Sequence, residues 1–185
     1  MAEKGGALIN KMKNRRFRKT EEAIFRVFEK LPVDCTAEEI AKMVGISSST
    51  FYRHHQSVSK ILCDYEQLIM EMYAGMVEKI NGRNMETGNI LYQTLIFVMA
   101  NKEIIKAVAE KDNYLIIYQM IIFLKPIIMK RPGEDKIFNI YACEICGVIM
   151  DWQENDYAVE QFGVVRKNII YLTKTARRRL EPLAN

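Results

Sequence analysis

The segment at 36–62, TAEEIAKMVGISSSTFYRHHQSVSKIL, constrains the fold of this chain more narrowly than any other. Thr36 precedes an apolar-periodic stretch and is followed three residues later by Glu39, the spacing of a capping box that satisfies unpaired amides at a helix start. Gly45 supplies the left-handed backbone that ends this helix, and Ser47 can cap the next one. The segment therefore predicts two short helices around a tight turn, followed by the start of a longer helix.

The second short helix, over 48–53, has two unlike faces. Phe51 must pack inward, whereas the opposite face carries hydroxyl groups and the guanidinium of Arg53. Such a face is small enough for a helix to enter the major groove of DNA, and its groups bond phosphates and base edges. This layout is that of a helix-turn-helix DNA-binding element.

Charge is distributed unevenly along the chain. Residues 1–62 contain 12 Lys and Arg against 7 Asp and Glu, whereas residues 63–185 contain 15 against 16. The whole basic surplus therefore lies with the helix-turn-helix. A dense basic run just before the first helix can follow the phosphate backbone or reach the minor groove, although a solvated tail would have the same composition. That run comprises Lys11, Lys13, Arg15, Arg16, Arg18 and Lys19.

The first helix is expected over 15–31, with Pro32 closing it. Apolar side chains recur along one stripe of this helix at helical spacing. Together with the two short helices, it predicts a three-helix domain over residues 1–56. A domain of this size is marginal alone, so it should lean on the rest of the chain.

Three stretches of this domain, TAEEIA at 36–41, GIS at 45–47 and TFYRH at 50–54, resemble the N-terminal domain of the TetR/AcrR family of transcriptional regulators. The resemblance covers the motif at 36–62 and is specific there. Two positions depart from the family's pattern: His55 stands where Phe is usual, and Val58 stands where a phosphate-contacting Lys is usual.

The resemblance implies a division of roles on the DNA-facing side. Phosphate contacts are implied for Thr36, Thr50, Tyr52 and His54. The residues nearest the bases are implied to be Ser47, Ser48, Ser49 and Arg53. Lys60, two residues after Val58, is the candidate to replace the missing phosphate-contacting charge.

The remainder of the chain, 57–185, predicts a C-terminal helical bundle, which makes the fold class all-α. Apolar residues recur at helical spacing, and no segment shows convincing strand alternation. We expect a helix of 113–129 to be kinked at Pro126. The other expected helices span 57–80, 87–99, 102–109, 134–153 and 157–180.

The helix expected at 134–153 is apolar nearly all round, so it has two faces to bury. One face would pack on its own chain and the other on a second copy, with the last helix completing a four-helix dimer interface. A central helix of a monomeric bundle would show the same pattern. The residues predicted for the dimer interface are Ile145, Ile149, Trp152, Phe162, Val165, Ile169 and Leu172.

The family resemblance also implies an effector pocket in the middle helices. Methionine adapts to irregular apolar ligands, and tyrosine adds a polar tip. The same residue types at helical spacing also make ordinary core. The candidates for a small apolar effector are Met72, Met76, Met99, Tyr114, Tyr118 and Phe123.

Catalysis, metal binding and cofactors have little support. His54 and His55 are adjacent, so they are expected to point to different sides of a helix, without a carboxylate or thiol shell. Cys143 and Cys146 form a lone C-x-x-C in an apolar helix, where buried packing is the expectation. Phosphate loops, nucleophile elbows and H-E-x-x-H are absent from the sequence. We expect no enzyme activity and no cofactor.

The function expected from the sequence is a homodimeric repressor that binds a palindromic operator and is released by a small effector. The alternative is a protein-interaction module on the same fold that recruits another protein and has no small-molecule effector. The longest apolar stretch, 114–129, is too interrupted for a membrane span, and the N-terminus lacks the apolar core of a signal peptide. A cytoplasmic protein with reduced thiols is expected.

Overall fold

The computed structural model describes the backbone of residues 14–31, 35–81, 87–128 and 135–180, and the side chains at 14–31, 35–80, 89–128 and 138–175. Helices and short connections account for all of these residues, and no strand occurs among them. The prediction of an all-α protein is confirmed. The helices are α1 Arg15–Lys30, α2 Ala37–Val44, α3 Ser48–His54, α4 Val58–Asn81, α5 Thr87–Ala100, α6 Lys102–Lys111, α7 Leu115–Phe123, α8 Lys125–Ile128, α9 Asp135–Glu154 and α10 Phe162–Leu180, the last preceded by the 3₁₀ turn Val159–Gln161.

The first three helices begin and end at the signals that the sequence carries. Thr36 Oγ1 accepts from the amide of Glu39, and the Glu39 carboxylate accepts from the amide of Thr36, so the predicted capping box is complete. Gly45 adopts φ +74° and its N–H bonds the carbonyls at the end of α2. Ser47 then accepts from the amide of Thr50 to start α3. The turn between α2 and α3 is therefore specified by local chemistry.

The long helix α4 runs from this N-terminal part into the middle of the protein, where it packs against α5, α6 and α7. Its buried face includes Ile61, Tyr65, Ile69 and Tyr73. The same helix thus supplies core to the three N-terminal helices and to the bundle. The two parts share one continuous apolar core.

The helix expected at 113–129 is two helices, α7 and α8. Asn113 and Tyr114 have positive φ, and Asp112 Oδ2 accepts from the amide of Ile116 at 2.7 Å, so α7 begins only at Leu115. At the other end, Pro126 lacks the N–H that would continue α7 and falls in the first turn of α8, where none is needed.

The last helix also begins later than expected, at Phe162 instead of 157. Asp156 and Tyr157 have positive φ, so the chain turns sharply after α9. The turn is secured from inside, because Tyr157 is buried and donates to Gln153 Oε1 at 2.7 Å, while Trp152 Nε1 donates to the carbonyl of Ala158 at 3.0 Å. α9 then packs along α10 and against α7.

Candidate nucleic-acid interface

The outward face of α3 presents a compact set of polar groups. Phe51 is fully buried, and on the other side Tyr52 is 49% exposed and Arg53 is exposed. Hydroxyl groups link along this face, because Ser47 Oγ lies 2.9 Å from Thr50 Oγ1 and the Arg53 guanidinium donates to Thr50 at 2.9 Å. Ser49 is exposed and its hydroxyl also lies 2.9 Å from that of Ser47. The face therefore offers several hydrogen-bonding groups and one fixed positive charge.

A cleft of about 760 Å³ opens between the start of α1, the α2–α3 turn and α3. Arg15 and Arg16 are exposed at the start of α1, where Asn14 accepts from the amides of Arg16 and Phe17. Arginines on two sides give this cleft the charge and donors that suit a phosphate group. Its lining is formed by Asn14, Arg16, Phe17, Thr20, Gly45, Ile46, Thr50, Arg53 and His54.

Beneath α3, a buried carboxylate gathers three donors from two other helical segments. Glu21 of α1 is 2% exposed. Its Oε2 accepts from His54 Nδ1 at 2.6 Å, and its Oε1 accepts from His55 Nε2 at 2.8 Å and from the Tyr65 hydroxyl at 2.9 Å. The His54 ring also stacks on Phe17, with centroids 3.9 Å apart. This arrangement ties the end of α3 to α1 and α4.

His55 has a second carboxylate on its other side. Its Nδ1 lies 2.9 Å from Asp64 Oδ2 on α4, and Asp64 Oδ1 lies 3.3 Å from Lys60 Nζ. Both ring nitrogens of His55 thus face carboxylate oxygens, and the residue is 1% exposed. We call Glu21, His54, His55, Asp64 and Tyr65 the junction cluster.

Electrostatics within the junction cluster favour the charged forms of its central pair. Burial of Glu21 acts to raise its pKa, but hydrogen bonds from His54 and His55 and the charge on His55 outweigh burial and lower the pKa to about 2. Burial of His55 acts to lower its pKa, but bonds to Asp64 and Glu21 and the charges of both raise it to about 9. Burial, with the nearby Glu21 charge, raises the pKa of Tyr65 well above its usual value.

The prediction that the two histidines lack a carboxylate partner and point apart is wrong. Both bond Glu21, and His55 also bonds Asp64. His55 is the C-cap of α3, with the extended backbone angles φ −130° and ψ 140°. Its side chain therefore does not point in the direction that a continued helix would give it. One sequence signal was present: Glu21 stands on the apolar stripe of α1, between Phe17 and Ile24, where a carboxylate needs a buried partner.

Several predicted DNA-contacting residues already make contacts inside the chain. Thr36 is exposed and is held in the capping box with Glu39. His54 has a side chain only 6% exposed, with Nδ1 directed to Glu21. Lys60, one-third exposed, pairs with Asp64. Lys11 and Lys13 lie outside the described residues. The residues that remain outward are Arg15, Arg16, Ser47, Ser49, Tyr52 and Arg53, with Ser48 and Thr50 half-buried.

The six residues predicted for an effector pocket are spread over α4, α5 and the region of α7. Met72 and Phe123 are more than a third exposed, and the other four are half-buried. Phe123 packs edge-on against Tyr73, with centroids 5.9 Å apart. None of the six residues lines the cleft beside α3 or the groove between α9 and α10. The six are Met72, Met76, Met99, Tyr114, Tyr118 and Phe123.

The residues predicted for a dimer interface pack α9 on α10 within one chain. Ile145, Ile149, Trp152, Val165 and Ile169 are buried. Phe162 and Leu172 are half-buried, and the aromatic ring of Phe162 lies 5.7 Å from that of Trp152.

The apolar residues that a second copy can reach are their neighbours on the same helices. Ile140, Val164 and Tyr171 are 56%, 58% and 69% exposed. Val164 also lines a groove of about 690 Å³ that runs between α9 and α10, past Gly147 and Val148.

The expectation that both cysteines of the C-x-x-C in α9 are buried is wrong for Cys143. Cys146 is buried, and burial raises the pKa of its thiol to about 12, whereas Cys143 is exposed. Across 14–31, 35–80, 89–128 and 138–175, no group of His, Cys, Asp and Glu is arranged to hold a metal ion. Among the helices that the structure describes, none has the length and apolar run needed to cross a bilayer.

No protein-family model, no curated protein and no solved structure matches the chain. Its function is therefore inferred from its own residues.

Proposed function

We propose that this chain is a DNA-binding transcriptional regulator of the TetR type that acts as a homodimeric repressor, with residues 1–56 as reader and 57–185 as regulatory and dimerisation part. The observation that carries the proposal is the outward face of α3, where Tyr52 and Arg53 stand exposed above the buried Phe51. The short turn at Gly45 sets α3 beside α2 in a helix-turn-helix order. A helix so presented fits the major groove.

The charge around α3 supports DNA as the partner. Arg16 and Arg53 flank the cleft between α1 and α3, and residues 1–62 carry the basic surplus of the chain. Phosphate contacts supply most of the affinity for any DNA sequence, and base contacts supply the discrimination. We assign Tyr52 to a phosphate and Arg53 to a base edge.

Exposed apolar residues on α9 and α10 support a homodimer. Ile140, Val164 and Tyr171 are exposed on these helices and Val164 lines the groove between them, and a second copy related by two-fold symmetry would cover the same surface on both chains. Two reader helices would then meet half-sites about one DNA turn apart, roughly 34 to 36 Å. Light scattering on purified protein tests this, and Val164→Glu should give a monomer that still folds.

DNA binding is tested by fluorescence anisotropy with palindromic fragments from the promoter region of its own gene. Wild-type protein should bind with a strong salt dependence and a preference over scrambled DNA. Tyr52→Ala should weaken binding to both DNAs, whereas Arg53→Ala should reduce the preference. Lys167→Ala, which removes an exposed positive charge from α10, is the matched control. Absence of sequence-preferring binding would refute the proposal.

We propose that a small apolar effector ends repression. It would bind the bundle more tightly when the two reader helices of the dimer are displaced from their DNA-binding positions. Such an effector would weaken DNA binding by its differential affinity for the two conformations, typically about 1 to 3 kcal/mol.

The second candidate is a protein-interaction module on the same fold, which is favoured by the exposed apolar groove between α9 and α10. A thermal-shift screen with apolar compounds, run beside a pull-down with wild type and Val164→Glu, separates them. Ligand stabilisation supports the sensor, and a stoichiometric partner lost in Val164→Glu supports the module.

A further inference from the structure

The reader helix α3 has little apolar attachment of its own. It has seven residues, and Phe51 is the one that it buries among them. Its last turn is joined to the rest of the protein by polar contacts through His54 and the C-cap residue His55, and by the stack of the His54 ring on Phe17. The His55 amide donates to the carbonyl of Phe51 at 3.0 Å, so a displacement of His55 is passed to the helix backbone.

The His55 ring lies between α1 and α4. Nε2 lies 2.8 Å from Glu21 on α1, and Nδ1 lies 2.9 Å from Asp64 on α4. A neutral imidazole has one N–H and one lone pair, so it can donate to only one of these carboxylates. The imidazolium donates to both. The observed geometry is therefore that of a protonated ring.

We propose that His55, bridged by its two N–H groups between Glu21 of α1 and Asp64 of α4, is the positioning residue that fixes the reader helix α3 on α4. The inference rests on the proposed function for its effect on DNA. The bridge itself is a property of the free protein. Hydrogen bonds to charged groups are directional and strong, so they set an angle that one buried Phe51 cannot set alone.

The two carboxylates that face His55 support this state. Glu21 faces it from α1, and Asp64 faces it from α4 with Lys60 on the far side of that carboxylate. Tyr65 of α4 donates to the same Glu21 oxygen as His55, and His54 bonds the other oxygen. Loss of the His55 proton would leave a lone pair against a carboxylate. One side of the bridge must then open, which weakens the attachment of α3 to α1 or to α4.

The bridge is tested first in the protein without DNA. Nitrogen-15 NMR of the His55 ring should show both nitrogens protonated at neutral pH, with deprotonation near the pKa of about 9. Asp64→Asn keeps an acceptor oxygen but removes a charge, so it should move this titration to lower pH. Amide exchange in α3 should rise in this variant while exchange in α2 stays unchanged.

Two controls separate the bridge from a general loss of charge on α4. Glu78→Gln neutralises an exposed carboxylate on the same helix, and Lys60→Gln removes the other partner of Asp64. Both should leave the His55 ring doubly protonated at neutral pH. A ring with a single N–H in wild type, or α3 exchange that is equal in Asp64→Asn and Glu78→Gln, would overturn the proposal.

The DNA arm then measures what the bridge does for the reader. At neutral pH, Asp64→Asn should lose at least about fivefold of the preference for palindromic over scrambled DNA, a coupling of ordinary size between linked sites. In wild type, the preference should fall as the pH passes about 9, and in Asp64→Asn it should fall at lower pH. A variant that is merely less stable would bind both DNAs less, in proportion to its unfolded fraction.

The experiments without DNA and the DNA-binding experiment can contradict the proposal independently of each other. If the His55 ring is doubly protonated and α3 loosens in Asp64→Asn but wild type binds no DNA, the bridge stands and the proposed function falls. If wild type prefers its palindrome and Asp64→Asn keeps both the preference and the pH profile of Glu78→Gln, the DNA role stands and His55 does not position α3.

Discussion

The junction cluster and the α9–α10 pair are both buried, but different forces hold them. Around His55, charged groups with bonds of 2.6 to 2.9 Å join α1, α3 and α4. Between α9 and α10, apolar side chains around the fully buried Trp152 carry the packing. The stability of the junction cluster depends on which of its groups are protonated. The stability of the α9–α10 packing depends on how completely side chains fill the space between the helices.

This difference matters for orientation. Hydrophobic burial is nearly non-directional, so an apolar interface tolerates small shifts of one helix along another. Charged hydrogen bonds weaken steeply when they are misaligned, so a buried ionic cluster favours one arrangement. The short helix α3 buries only Phe51, so its orientation depends more on the junction cluster than on the apolar surface area that it buries.

The largest effect is expected in the apolar pair. Trp152→Ala removes a fully buried ring that packs edge-on against Tyr157, with centroids 5.3 Å apart, and leaves a cavity. Large-to-small changes of this kind cost about 4 kcal/mol. The loss should be the same at every pH at which the protein is folded. Urea unfolding measures it, and Val159→Ala, at a neighbouring position that is 67% exposed, should cost little. A strongly pH-dependent loss would contradict the apolar assignment.

The next effect is expected at the junction cluster. Glu21→Gln keeps the size of the side chain but leaves the His55 charge with one carboxylate fewer. Removing one partner from a buried ion pair costs about 3 kcal/mol or more. Glu22→Gln is the control, because Glu22 is half-exposed and pairs with Arg18 at 3.5 Å, a contact worth less than about 1 kcal/mol. Equal losses in the two variants would mean that the cluster does not hold the helices together.

A smaller effect, specific to the cluster, is the pH dependence of stability. The folded pKa of His55 is raised to about 9, so its contribution is complete below the unfolded value of about 6.5 and is lost as pH rises through 9. The folded pKa of Glu21 is lowered to about 2, so its contribution is present above about 4.3 and is lost as pH falls through 2. Stability from the pair should be greatest between these limits.

The alkaline loss of stability is at most on the order of 3 kcal/mol between about pH 6 and pH 10. Urea midpoints across this range measure it. The double variant Glu21→Leu with His55→Phe replaces the pair by apolar groups and should flatten the alkaline fall, while the His54 and Tyr65 donors that it leaves unpaired lower the midpoint at every pH. A wild-type midpoint that does not change up to pH 10 would show that His55 is not held protonated.

The smallest effect is expected at an exposed ion pair. Asp156 is 70% exposed and lies 3.0 Å from Lys106 and 3.6 Å from Lys102. Asp156→Asn keeps a residue that tolerates the positive φ of this turn but removes the charge. Screening by water and salt should leave the unfolding midpoint nearly unchanged, with any difference disappearing at high salt. A large, salt-resistant loss would mean that exposed and buried pairs are equivalent here.

Local signals in the sequence predicted most helix boundaries. The capping box at Thr36, the left-handed Gly45 and the cap at Ser47 placed α2 and α3 within a residue of their observed ends. Each of these signals acts over a few neighbouring residues, which is why it can be read from sequence. The starts of α7 and α10 were predicted too early, because Asn113, Tyr114, Asp156 and Tyr157 take positive φ, a conformation that residues other than Gly adopt only occasionally.

Contacts between distant segments could not be predicted in the same way. Glu21 meets His54 and His55 across more than thirty residues, and sequence spacing says nothing about such a meeting. The seven residues predicted for a dimer interface have the apolar periodicity that any buried helix face has, and the structure uses most of them between α9 and α10. Periodicity indicates that a face is buried, but it does not indicate what buries it.

The sequence by itself determined the all-α class, the caps and turn around α3, and the outward set of hydroxyls with Arg53, because helix propensity, capping and periodicity are local properties. Only the tertiary structure decided that His55 bridges Glu21 and Asp64 and that Ile140, Val164 and Tyr171 stay exposed. Burial and the pairing of buried charges depend on which helices meet in space. That meeting is settled by the packing of the whole chain.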